Sequence, residues 1–126
     1  MADKREIGRA LMKEMLDPAY FQAREDSTNE FNAPLRRFSE ANAFGDVWQR
    51  PGLERKFRSL LCLGMLTALN RPAEIRIHVN TALNNGATVE EIREVLLQTV
   101  LYCGIPAAID ATKVAEEILK ERGLLK

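Results

Sequence analysis

The sequence predicts an all-α fold, a single-domain bundle of about six helices. Two observations predict it. Every segment with clear apolar periodicity repeats at helical spacing, and no stretch alternates convincingly with period two. Helix punctuation also falls where the periodic runs begin and end, at Asp17-Pro18, at Pro72, at Asn84-Asn85-Gly86, at Thr88 with Glu91, and at Gly104-Ile105-Pro106. A chain of 126 residues suits one domain with a real core.

The elements follow in order. Residues 5–16 carry Ile7, Leu11 and Met15 on one side, and the run stops at Asp17-Pro18, a pair suited to the N-cap and first residue of the next helix. From 19 to 44 the pattern is mixed, and Pro34 either kinks a helix or begins a second one. Residues 45–52 read as a turn-rich connection ending in Pro51-Gly52. A helix over 53–69 is amphipathic at first and apolar nearly all round after Leu60, which places it at the centre of the fold. Gly64 within it is expected to mark a close helix crossing.

Pro72 opens the next helix, whose core face is Ile75, Val79, Ala82 and Leu83 and whose stop is Asn84-Asn85-Gly86. Thr88 and Glu91 form a capping box for a helix that carries Val89, Ile92, Val95, Leu96, Val100 and Cys103 at helical spacing, with Leu97 and Leu101 widening the stripe. Gly104-Ile105-Pro106 ends it, and a last helix runs over about 107–122.

Composition excludes several classes. Apolar content of 46% with 29% charged residues is that of a globular protein rather than a disordered one. Acidic and basic residues balance at 18 each, without the basic excess of a nucleic-acid binder. The start Met-Ala-Asp-Lys-Arg-Glu lacks a signal-peptide apolar run, and the longest apolar stretch, 60–69, is too short to span a bilayer; the chain reads as cytoplasmic, with no nucleic-acid or membrane partner. Cys62 and Cys103 lie in apolar helical patterns and read as buried small hydrophobes. One histidine and two distant cysteines make a poor zinc set, and no Gly-rich phosphate loop is present, so no cofactor and no metal is expected.

The one histidine, His78, follows Glu74 by four residues and Arg71 by seven. On a helix the three would share one stripe, where a guanidinium, a carboxylate and an imidazole could hold an anion and move a proton. A lone helical histidine beside a glutamate also reads as a structural or surface pair. Trp48 reads either as a pocket wall or as a core or subunit contact, and Arg58 either as an anion ligand or as one half of an ion pair.

The stretch from Phe44 to Ala108 resembles the carboxymuconolactone decarboxylase family. The residues that carry the resemblance are Phe44-Gly-Asp-Val-Trp-Gln-Arg-Pro-Gly-Leu53, Arg58-Ser-Leu60, Asn70-Arg71, Glu74, His78, Asn84 to Thr88, Glu90 to Ile92, Glu94 to Thr99, and Tyr102 to Ala108. Residues 1–43 are less recognisable. The resemblance implies the alkylhydroperoxidase-D-like helical fold and a closed homo-oligomer, a hexamer. Members of that wider superfamily carry CxxCxxxH on the active helix. Counted back from His78, the thiol positions fall on Arg71 and Glu74, and an upstream glutamate would fall near Ser59. With both thiols replaced, peroxidase or disulfide chemistry should be missing.

The activity the resemblance implies is loss of CO2 from γ-carboxymuconolactone to give the β-ketoadipate enol-lactone, in protocatechuate catabolism and without a cofactor. On this reading His78 is the proton donor or oxyanion partner, and Glu74 fixes its tautomer and raises its basicity. Arg71 is the carboxylate clamp, Arg50 and Arg58 are candidates for a second carboxylate, and Trp48 walls the ring. Two alternatives stand beside it: a same-fold enzyme for another lactone or β-keto acid, and a non-catalytic oligomerisation module with a vestigial site.

Overall fold

The computed structural model describes residues 2–126. Among them the chain is all-α, with seven α-helices and no strand. The helices are α1 (Lys4–Met15), α2 (Pro18–Asp26), α3 (Ala33–Phe38), α4 (Arg55–Ala68), α5 (Pro72–Asn84), α6 (Val89–Cys103) and α7 (Ile105–Glu121). A π-helical segment, Ser39–Phe44, continues α3, and a 3-10 turn, Val47–Gln49, follows it. The chain divides into two compact units, residues 1–54 and 55–126.

In the first unit, Asp3 caps α1 by accepting from the Glu6 amide at 2.8 Å. Asp17 caps α2 from the Tyr20 amide at 3.2 Å, with Pro18 in its first turn, as the sequence suggests. Pro34 resolves the choice left open above: it sits in the first turn of α3 and begins a helix rather than kinking one. The π-helical segment was not predicted. It packs against α1 so closely that a Cβ on Gly8 would overlap the Glu40 carbonyl, and a Cβ on Gly45 would overlap that of Lys4. The close backbone crossing expected at Gly64 is therefore found here instead. Gly64 has open space where its Cβ would be, because it borders a groove between α4 and α6.

The second unit is a four-helix assembly in which α4 packs on α5, α6 and α7, and α7 also packs on α5 and α6. Its core is Leu63 from α4, Ile75, Val79 and Ala82 from α5, Ala87, Ile92 and Leu96 around α6, and Ala111, Ala115 and Ile118 from α7. These are the periodic residues of each helix, so burial follows the sequence pattern. The alanines of α7 let its backbone approach its neighbours.

Each connection has a stated chemical cause. Asn70 adopts φ 57° and ends α4 as the left-handed residue of a Schellman motif, with Arg71 N–H on the Leu66 carbonyl at 3.1 Å and Asn70 N–H on that of Thr67 at 3.1 Å. Gly86, at φ 94°, closes α5 in the same way. The capping box is formed: the Glu91 amide donates to Thr88 Oγ1 at 3.0 Å, and the Thr88 amide to Glu91 Oε1 at 2.9 Å. Gly104, at φ 93° and ψ 156°, turns α6 directly into α7, which starts two residues before the expected 107. No helix of the described residues is long and apolar enough to cross a membrane.

Candidate active site

His78 lies in the middle of α5, one residue before the fully buried Val79. Ile75 and Ala82, three residues before and four after it on the same face, are buried, and the His78 Nδ1 is buried and has no hydrogen-bond partner. A buried imidazole is penalised for carrying charge, and burial pushes the His78 pKa below its ordinary value. The Glu74 carboxylate acts in the opposite direction and does not overcome it. Of these two opposed effects burial is the larger, and it favours the neutral ring.

The expected tautomer-fixing hydrogen bond between Glu74 and His78 is not formed. Glu74 stands exposed in the first turn of α5, and it reaches the ring through its charge alone. Helical spacing put the two on one stripe, as neighbours, but the edge of that stripe facing Glu74 is solvent-side and the edge facing His78 is inward.

Arg71 departs from the stripe for a backbone reason. It is the N-cap of α5, with φ −116° and ψ 74°, and so lies outside the helix whose spacing was used to place it. Its backbone is nonetheless fixed, since its amide completes the α4 terminus and its carbonyl accepts from the Ile75 amide at 3.0 Å. The guanidinium is carried by an exposed residue. Arg58 is half-buried in the first turns of α4. Arg58, Arg71, Glu74 and His78 all belong to the second unit.

Trp48 and Arg50 belong to the first unit. Trp48 is buried and stacks on Phe44, with ring centroids 6.1 Å apart and planes 11° apart. Arg50 is exposed at the end of the 3-10 turn.

One feature of the second unit was not anticipated. Ser59, at the position where the superfamily's upstream glutamate would fall, is fully buried and accepts from Asn85 Nδ2 at 2.9 Å. Nothing in single-helix periodicity links residues 59 and 85. Cys62 and Cys103 are free and half-buried, and burial raises the Cys62 thiol further from ionisation. Among the described residues no group of three or more His, Cys, Asp or Glu side chains converges as a metal-ligand set.

The second unit is thus an all-α scaffold that carries a histidine with a buried, unpartnered Nδ1 and a glutamate one turn before it on the same helix. The chain belongs to the carboxymuconolactone decarboxylase family, whose model matches residues 33–117. It is similar to 4-carboxymuconolactone decarboxylase of Acinetobacter baylyi, at 38% identity over 117 residues, 93% of this chain and 87% of the relative. It is also similar to nitrosuccinic acid decarboxylase of Metarhizium robertsii, at 37% identity over 114 residues, 90% of this chain and 80% of that one. An uncharacterized 15.0 kDa protein of Paracoccus denitrificans matches at 38% over 80 residues, 62% of this chain and 60% of its own length. A decarboxylase role, that of a carboxy-lyase, goes with this membership. The similarity extends on both sides of the 44–108 stretch from which the family was read, and takes in α3 and most of α7.

Proposed function

We propose that the chain decarboxylates γ-carboxymuconolactone without a cofactor, with His78 as the group that returns a proton to carbon. The observation that carries the mechanism is the buried, unpartnered Nδ1 of His78 beside the charge of Glu74. The substrate reading is supported by the relative from Acinetobacter baylyi, similar over nearly the whole chain.

The chemistry makes three demands. The C–C bond to the departing carboxylate breaks and releases CO2, and its electron pair passes through the ring alkene onto the lactone oxygen as a dienolate. A carboxylate clamp must hold the substrate, a donor must meet the developing oxyanion, and an acid must protonate carbon. Oriented donors contribute about 3 kcal/mol each, and a placed general acid about 100-fold or more in rate.

In this mechanism Arg71 grips a carboxylate through its fork, and Arg58 is the second candidate. The incoming carboxylates bring negative charge to an imidazole that burial keeps neutral, and this raises its pKa within the complex. His78 takes up a proton as substrate binds. It gives that proton to the carbanion and returns to the neutral form of the free enzyme, ready for the uptake that accompanies the next substrate. Depressed basicity helps the second step, because a buried imidazolium releases its proton readily.

A second reading is favoured by the relative named as a nitrosuccinic acid decarboxylase. Nitrosuccinate, like the lactone, is a polycarboxylate in which an electron-withdrawing group accepts the electrons left by CO2. The same histidine would then protonate a nitronate. Steady-state turnover of both compounds by the purified protein, with the lactone generated in situ, tests the choice. A kcat/KM for the lactone at least 100-fold above that for nitrosuccinate is the expected result. The reverse order overturns the lactone assignment, and turnover of neither overturns both substrate readings.

A further inference from the structure

The first unit holds a second concentration of chemistry to which the proposed mechanism assigns no role. Glu40, on the π-helical segment, is 2% exposed. Its carboxylate accepts from Arg5 Nε at 2.7 Å, Arg9 Nη1 at 2.9 Å and Arg24 Nη1 at 2.8 Å. Burial alone would raise this carboxyl, but hydrogen bonds from Arg5 and Arg24, with the charges of Arg24 and Arg9, hold it below the usual carboxylate range. Glu25 takes both terminal nitrogens of Arg9, at 3.0 and 2.6 Å.

Beside this network opens a cavity of about 280 Å3, walled by Arg5, Arg9, Arg36, Arg37, Glu25 and Glu40. With Arg24 behind Glu40, five guanidiniums meet two carboxylates. Arg36 has no carboxylate partner: its Nη1 donates to Thr28 Oγ1 at 2.7 Å and to the Arg24 carbonyl, both neutral acceptors. Arg37 makes no hydrogen bond or ion pair among the described residues. Arg5 spends only Nε on Glu40, so its terminal nitrogens remain as donors. The chain as a whole is neutral, so this local cationic excess is a feature of the place rather than of the composition.

Buried carboxylates of this kind hold arginines in fixed geometry against their mutual repulsion. What remains unneutralised is the wall formed by Arg36 and Arg37. We propose that the cavity binds a small dianion rich in oxygen acceptors, inorganic phosphate or a short dicarboxylate, gripped by Arg36, Arg37 and the free edge of Arg5. Guanidinium forks match both anions bidentately. The volume, about 280 Å3, lies just below the range of ligand pockets, about 300 to 1,000 Å3, and this favours an anion of a few heavy atoms. The residues that form the cavity belong to the first unit and His78 belongs to the second.

The test is calorimetric titration of the full chain with sodium phosphate and, separately, sodium succinate, at constant ionic strength set by sodium chloride. Saturable binding at one anion per chain is expected, and the tighter of the two anions identifies the source. Arg37→Ala and Arg36→Ala should each weaken it by roughly 10-fold or more, the value of one charged hydrogen-bond pair. Arg37 is exposed and unpartnered, so Arg37→Ala should keep the wild-type melting temperature. His78→Ala should bind the anion as wild type does. Heats indistinguishable from the chloride control, unchanged affinity in Arg36→Ala and Arg37→Ala, or loss of binding in His78→Ala would each overturn the proposal.

Discussion

A single imidazole carries the catalytic account, and its surroundings set its behaviour with pH. Burial depresses the His78 pKa against the pull of Glu74. The unfolded chain therefore takes up a proton near pH ~6.5, where the folded chain resists it. The stability tied to neutral His78 is fully present above that pH and is lost as pH falls below it. Denaturant melts between pH 7 and 5 should show wild type losing stability that His78→Gln keeps; parallel curves would contradict the burial argument. In turnover, substrate carboxylates should raise the same group, so the apparent pKa in kcat should lie above that in kcat/KM. Glu74→Gln should lower both, since it removes the charge that raises the histidine, and coincident values in wild type would count against proton uptake on binding. His78 stands out in the sequence as a candidate because it is the only histidine and sits at the family position. Its missing hydrogen bond to Glu74 is not legible there, since spacing gives adjacency on a helix and leaves open which of two neighbours faces water.

Among the helices, sequence and structure agree wherever a boundary is made by local chemistry. The Asp17-Pro18 start, the Thr88–Glu91 box and the Gly86 stop each act within one turn of backbone, so the residues that encode them are adjacent in the chain. The π-helical segment and its contact with Gly8 and Gly45 depend on residues about 35 apart, which no window of periodicity contains. The same holds for Glu40, which lies in the mixed stretch and is the buried centre of an arginine network. Gly104 offers a test at this scale. Its φ of 93° with ψ of 156° is a conformation that essentially only glycine adopts, and it joins α6 to α7 with no intervening loop. Gly104→Ala should destabilise the fold by about 1–3 kcal/mol in chemical denaturation, and a loss under about 0.5 kcal/mol would show that the junction relaxes freely.

At the scale of the molecule, the apolar excess of α4 and α6 is not all consumed by the core. Leu61 and Met65 on α4, and Leu97, Leu101 and Tyr102 on α6, remain 49–84% exposed. Leu60, Leu61 and Met65 line one wall of a groove of about 700 Å3, and Val95, Tyr102 and Cys103 line the other. A closed homo-oligomer, proposed here as a hexamer, would cover these faces. Sedimentation should give that assembly at micromolar concentration, and Leu101→Glu should shift it toward smaller species; a wild-type monomer would remove the claim. The central claim concerns that assembled enzyme, and its most direct test is turnover of γ-carboxymuconolactone, generated in situ, by wild type and His78→Ala at matched sedimentation profiles. A kcat at least about 100-fold lower in His78→Ala, with assembly intact, is the predicted result. An assembled His78→Ala protein that turns over at the wild-type rate would contradict it.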